Sequence, residues 1–196
     1  MTGSDHKSEL HRYLKNARGA VVWKLHGLSE YDARRPLTQT GTNLLGLVKH
    51  LALVEIGYFG DTFGRAFPDP PAWAKFDDSD LNADMYATPD QSREEIIGLY
   101  RRAWEHADAT ITELPLDAPG RVPWWGEDGD VTLGLILIHE ISETARHAGH
   151  ADIVRELIDG AAGLRDGNDN MPPVDKAGWE SHHEKVEAAA REAAGL

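Results

Sequence analysis

The sequence contains no cysteine. That excludes disulfides, a thiol nucleophile supplied by the protein, and any thiolate-ligated zinc or iron–sulfur site. A metal held here is held by nitrogen and oxygen. Basic residues are scarce as well: 20 Lys and Arg stand against 33 Asp and Glu, for a net charge of −13. Phosphate backbones and anionic lipid surfaces are therefore repelled, and nucleic acid is not an expected partner. No stretch approaches the roughly 18 apolar residues of a membrane span, and MTGSDHKSEL lacks the charged-then-apolar pattern of a secretion signal. We expect a cytoplasmic protein without membrane association. Runs of alternating β-branched residues are missing too, which leaves helices as the source of structure. At 196 residues, the default is one domain with a sizeable core.

Four amphipathic segments are present. The first opens after Ser4 or Asp5 and carries Leu10, Leu14, Ala17, Val21 and Leu25 on one stripe, with Gly27 as a stop. SEYDARRPLTQTG then reads as a loop with at most one short helical turn. The second starts with Thr42 or Asn43 as cap and runs to Phe63; its apolar positions widen to two stripes, so it is mostly buried. The third has Thr88 as cap and Pro89 at the first helical position, an inner face from Ile96 to Leu114, and Pro115 as its end. The fourth, capped by Asp130 or Thr132, ends at Gly160. Residues 64–88, with Pro68, Pro70 and Pro71, make a long stiffened connection. PLDAPGRVPWWGEDGD is too rich in Gly and Pro for a helix; Trp124 and Trp125 roof a cavity or pack on the end of the helices. The tail from Trp179 has helical propensity but a thin apolar face, which predicts a peripheral helix with His182 and His183 in solvent. The expected fold is an all-α four-helix bundle with an extra C-terminal helix.

The fourth segment carries the chemistry. Positions four apart share a helix face, so Glu143 and His147 form a pair able to hold a divalent cation if a third group faces them. His50, at the edge of the buried stripe of the second segment, is the candidate, although a histidine placed like this is more often a hydrogen-bonded core residue than a ligand. His139 is four before Glu143, but side chains on three successive turns span about 12 Å, too far to share one ion. His150 points about 60° away from His147, towards a neighbouring helix. Both read as bystanders. HEISE lacks the second histidine of HExxH, so a zinc protease is rejected. Glu140 with Arg146 or Thr144, and Asp152 with Arg155 or Glu156, read as surface or local contacts.

Two of these stretches, LVKHLALVE from Leu47 to Glu55 and ETARHAGHAD from Glu143 to Asp152, resemble the metal-binding helices of the DinB-like superfamily. The likeness covers roughly residues 8 to 160 and is greatest to an actinobacterial branch. Many members carry HxxxH on the last helix, the second His preceding RGQ. Here AGH follows His147, and Glu143 stands where the first His would be. That departure is similar to the mycothiol-dependent maleylpyruvate isomerases, in which His, Glu and His hold zinc.

The resemblance implies His50, Glu143 and His147 as metal ligands, and an up-down-down-up bundle in which residues 64–88 are the crossover. It places the bundle in residues 1–160, with 161–196 a loop and peripheral helix packed on the same domain. Zinc is the first expectation, with nickel, manganese or iron as alternatives. The implied activity is a mycothiol S-transferase or isomerase in which the metal activates a low-molecular-weight thiol towards an electrophile. A metal-dependent hydrolase and a non-catalytic metal- or ligand-binding protein are the other readings. A homodimer is expected by analogy, and no catalytic side chain is identified.

Overall fold

A computed structural model describes residues 5–75 and 79–196. The chain is mostly helical and of the all-α class: α1 (His6–Trp23), α2 (Glu30–Arg34), α3 (Leu44–Phe59), α4 (Arg93–Glu113), α5 (Leu133–Asp159) and α6 (Lys176–Ala194). Strands β1 (Pro119–Arg121) and β2 (Asp130–Thr132) form a short antiparallel ribbon with Gly120 opposite Val131. None of the described helices is long and apolar enough to cross a membrane.

Local chemistry accounts for most boundaries. Asp5, Asn43 and Thr132 cap their helices through side-chain oxygens, and Gly160 ends α5 at φ 75°, in the left-handed region that suits glycine. Ser4, the other cap expected for α1, lies outside the described residues. Three expectations are corrected. The third predicted helix begins at Arg93, because Ser92 accepts a hydrogen bond from the Glu95 amide in a Ser-x-x-Glu arrangement while Thr88 to Gln91 form a turn. The second ends at Phe59, since Gly60 leaves helical geometry and Asp61–Phe63 is a separate 3-10 turn. The ribbon was not expected: its strands are three residues each and carry no alternating pattern.

α3 packs along α4, α1 along α5, and α3 also meets α5. Side-chain contacts give the directions. Thr110 donates to the Phe59 carbonyl near one end of α3 and α4, and Lys49 reaches Gln91 near the other, so the two run the same way. Lys24 at the end of α1 pairs with Asp152 late in α5, while Leu14 shares an apolar cluster with Ile136 and Leu137. Those two are also codirectional. Lys7 bonds the carbonyls of Thr112 and Leu114, and Arg93 that of Leu28, so α1 opposes α4.

The core has two apolar halves. One gathers Val21, Leu25, Leu47, Leu51, Ile96, Leu99 and Val154; the other gathers Leu14, Phe59, Ala107, Ile111, Val122, Ile136 and Leu137. Between them, along each of α1, α3 and α5, lie buried polar residues: Arg18, Glu55, Glu140 and Thr144. Arg18 donates to both oxygens of Glu55 at 2.8 and 2.7 Å and to Asp108 at 2.6 Å. Glu140 is thus no surface residue, and Asp152 pairs with Lys24 rather than within its own helix. Trp124 and Trp125 both donate towards the Tyr58 hydroxyl, at 3.4 and 3.1 Å. α6 contains no buried residue.

Candidate metal centre

α3 and α5 bring three ligating groups together. Packing inward residues of α3 such as Leu47, Leu51 and Glu55 into the core turns His50 to the edge facing α5, where Glu143 and His147 stand one turn apart. Glu143 Oε1 is 2.9 Å from His147 Nε2 and 3.4 Å from His50 Nε2. Within the described residues this is the one group of His and acidic side chains with metal-holding geometry, its three atoms lying within 4.8 Å of one another.

The donor set fits a divalent cation. Atoms bound about 2.0–2.1 Å from a tetrahedral zinc are about 3.3 Å apart, close to both short separations in the cluster. Three protein ligands leave a fourth position for water or substrate, which is the pattern of a reactive rather than a closed site.

Electrostatics favour the ligating forms of two of the three groups. Burial alone would raise the Glu143 carboxyl, but His147 and His50 hold it below its ordinary value, so it is ionised. Burial and the neighbouring His50 lower the His147 imidazolium, leaving a free lone pair at neutral pH. His50 goes the other way: burial would lower it, yet Asp84 and then Glu143 hold it above its ordinary value. Asp84, from the connection before α4, accepts from His50 Nδ1 at 2.7 Å and is itself held down by that bond. With Nδ1 carrying the proton, Nε2 is the atom free to ligate.

His139 and His150 are not part of the cluster. His139 packs against Tyr58 and Trp125, with ring centroids 4.7 and 5.1 Å away. His150 is exposed, and its Nδ1 lies 3.3 Å from His147 Nδ1, so it contacts the ring rather than another helix. Sequence reasoning missed Asp84 altogether. It stands in LNADMYAT, where neither periodicity nor a motif marks it. It also missed Arg18, although that residue lies four after Leu14 and three before Val21 and so on the buried stripe.

A mostly helical chain whose two facing helices present two imidazoles and a carboxylate belongs to the class of helical proteins with a metal-capable site between helices. A family model described as mycothiol-S-transferase matches residues 9–160. The chain belongs to the mycothiol S-transferase family, a DinB-like family. No curated protein matches it. Among solved structures it is similar to one titled "Crystal structure of the conserved protein of locus from Enterococcus faecalis". That match has a TM-score of 0.57 and 13% identity, and covers 81% of this chain and 100% of that one. At that identity the likeness concerns the fold alone.

Proposed function

We propose that the protein is a metal-dependent transferase that joins a low-molecular-weight thiol, mycothiol in the first instance, to an electrophile or uses it to isomerise one. The observation that carries this is the convergence of His50, Glu143 and His147 at metal-ligand spacing in a chain with no cysteine. A bound divalent ion would lower the pKa of a thiol at the open position and so supply the nucleophile that the chain lacks. His50 and His147 would hold the ion by Nε2 and Glu143 by Oε1, the carboxylate offsetting part of the positive charge. Zinc suits this set, and nickel, manganese and iron are accommodated by the same ligands. Family membership supports the thiol. The test is steady-state consumption of mycothiol with a panel of electrophiles by metal-loaded protein: turnover is expected, with loss of at least about two orders of magnitude in His147→Ala. No turnover on a broad panel would reject catalysis.

The architecture that frames this reading is an up-down-down-up four-helix bundle of α1, α3, α4 and α5, with the connection from α3 to α4 as the crossover. Its support is the pairing of like ends between α1 and α5 and between α3 and α4. Residues 161–196 are read as part of the same domain, tied to α1 by the bond from Lys24 to the Gly163 carbonyl.

A further inference from the structure

The connection before α4 is seated on the first turns of α3 by features its own sequence does not require. A Cβ at Gly46 would stand 1.9 Å from the Met85 carbonyl oxygen, so only glycine admits that backbone. Asn43, besides capping α3, donates from Nδ2 to the same carbonyl at 3.0 Å. Lys49 is 2% exposed, and its ammonium donates to the carbonyls of Ala83 and Tyr86 at 2.5 and 2.9 Å and to Gln91 Oε1 at 2.9 Å. All three ammonium protons are thereby used, which offsets the cost of burying the charge. Asp84 lies between these anchors, on the residue before the carbonyl that Gly46 admits.

The geometry points to Asp84 as the positioning residue of the metal centre, with the segment Ala83–Tyr86 a structural part of that centre rather than a covering loop. The inference rests on the metal reading above. By accepting from His50 Nδ1, Asp84 fixes the tautomer and the ring rotation that aim Nε2 at Glu143 and His147. Asp84 is not itself a ligand, since it bonds the ring nitrogen opposite the one that faces the cluster. Its charge adds to that of Glu143, so two carboxylates balance a divalent ion held by neutral imidazoles. Linkage then runs both ways: whatever affinity the ion gains from Asp84, the seating of Ala83–Tyr86 gains from the ion.

The test compares wild type with Asp84→Ala, Asp84→Asn and Gly46→Ala, using zinc as the probe. Three readouts are taken: zinc affinity by competition with a chromophoric chelator, amide exchange over residues 83–86 with and without zinc, and the melting temperature of each zinc-free protein. Asp84→Ala is expected to bind zinc about 10–100-fold more weakly, with its zinc-free melting temperature unchanged because the side chain is one-third exposed. Asp84→Asn keeps an acceptor and loses less; it carries the test if the alanine variant folds poorly. Gly46→Ala retains Asp84 but pushes its backbone off α3, and should weaken zinc in the same direction. Zinc should slow exchange over residues 83–86 in wild type and not in Asp84→Ala. Equal zinc affinity in wild type and both Asp84 variants, or persistence of that protection in Asp84→Ala, would overturn the inference and leave the metal reading standing. A wild type that takes up no zinc overturns both.

Discussion

Replacing Arg18 with methionine isolates the energetics of the buried polar layer. The Arg18 side chain is 1% exposed and that of Glu55 is 0% exposed, so Arg18→Met leaves an enclosed carboxylate without its partner. Breaking a buried pair in this way costs about 3–5 kcal/mol, out of a domain stability of about 5–15 kcal/mol. The pH dependence gives a sharper figure. Burial raises the Glu55 carboxyl to about 7, against the pull of Arg18. A carboxyl whose folded pKa is raised contributes stability below its unfolded pKa and loses it as pH climbs towards the folded value. Wild type and variant therefore lose stability in parallel up to about pH 7. Above that, wild type ionises Glu55 against Arg18 and its curve levels. The variant must keep the proton and goes on losing about 1.4 kcal/mol per pH unit. Urea unfolding followed by far-ultraviolet circular dichroism at pH 6, 7 and 8.5 should show a difference that widens only between the last two. Arg18→Met with Glu55→Met should recover much of the loss, because no buried charge remains. A pH-independent difference, or a double variant as unstable as the single one, would refute the reasoning.

Glu140 is buried, neither of its oxygens has a hydrogen-bond partner, and burial followed by Glu55 and Glu143 raises its carboxyl well above the ordinary value. Glu140→Gln should leave stability unchanged near pH 4 and raise it progressively above that, by up to about 1.4 kcal/mol per pH unit; a flat difference in urea unfolding across pH would count against a protonated Glu140. Asn43→Ala removes both the α3 cap and a bond to the connection, so a loss of about 1–2 kcal/mol in unfolding free energy is expected, and less than about 0.5 kcal/mol would contradict it. Zinc at about 100 times its dissociation constant should stabilise wild type by about 2.7 kcal/mol and Glu143→Gln far less; equal shifts in chemical denaturation would remove Glu143 from the ligand set.

The helices were legible in the sequence because burial on one side imposes a 3.6-residue period. Leu47, Leu51, Ile96, Leu99, Ala103 and Ile111 all lie in the core as their spacing requires. The meeting of His50 with Glu143 and His147 was legible in another way, through a spacing of four on one helix and a family-like motif on the other. Asp84 was not legible, since its contact with His50 spans 34 residues and depends on where the connection is seated. Glu140 was misread for a related reason. Periodicity marks apolar faces, and a charged residue on such a face is seen only when its surroundings, here Arg18 and Glu55 on two other helices, are known. The start of α4 turned on a choice between two capping residues, Thr88 and Ser92, which the bond from the Glu95 amide to Ser92 decides.

The most direct test of a thiol-activating metal centre uses the absence of cysteine as its control. With one cobalt(II) bound per chain, addition of mycothiol should produce a sulfur-to-cobalt charge-transfer absorption. Because the protein has no thiol of its own, that band can come only from the added one. The account predicts a saturable band in wild type and none in His147→Ala. Stoichiometric cobalt with no such band at saturating thiol would contradict it.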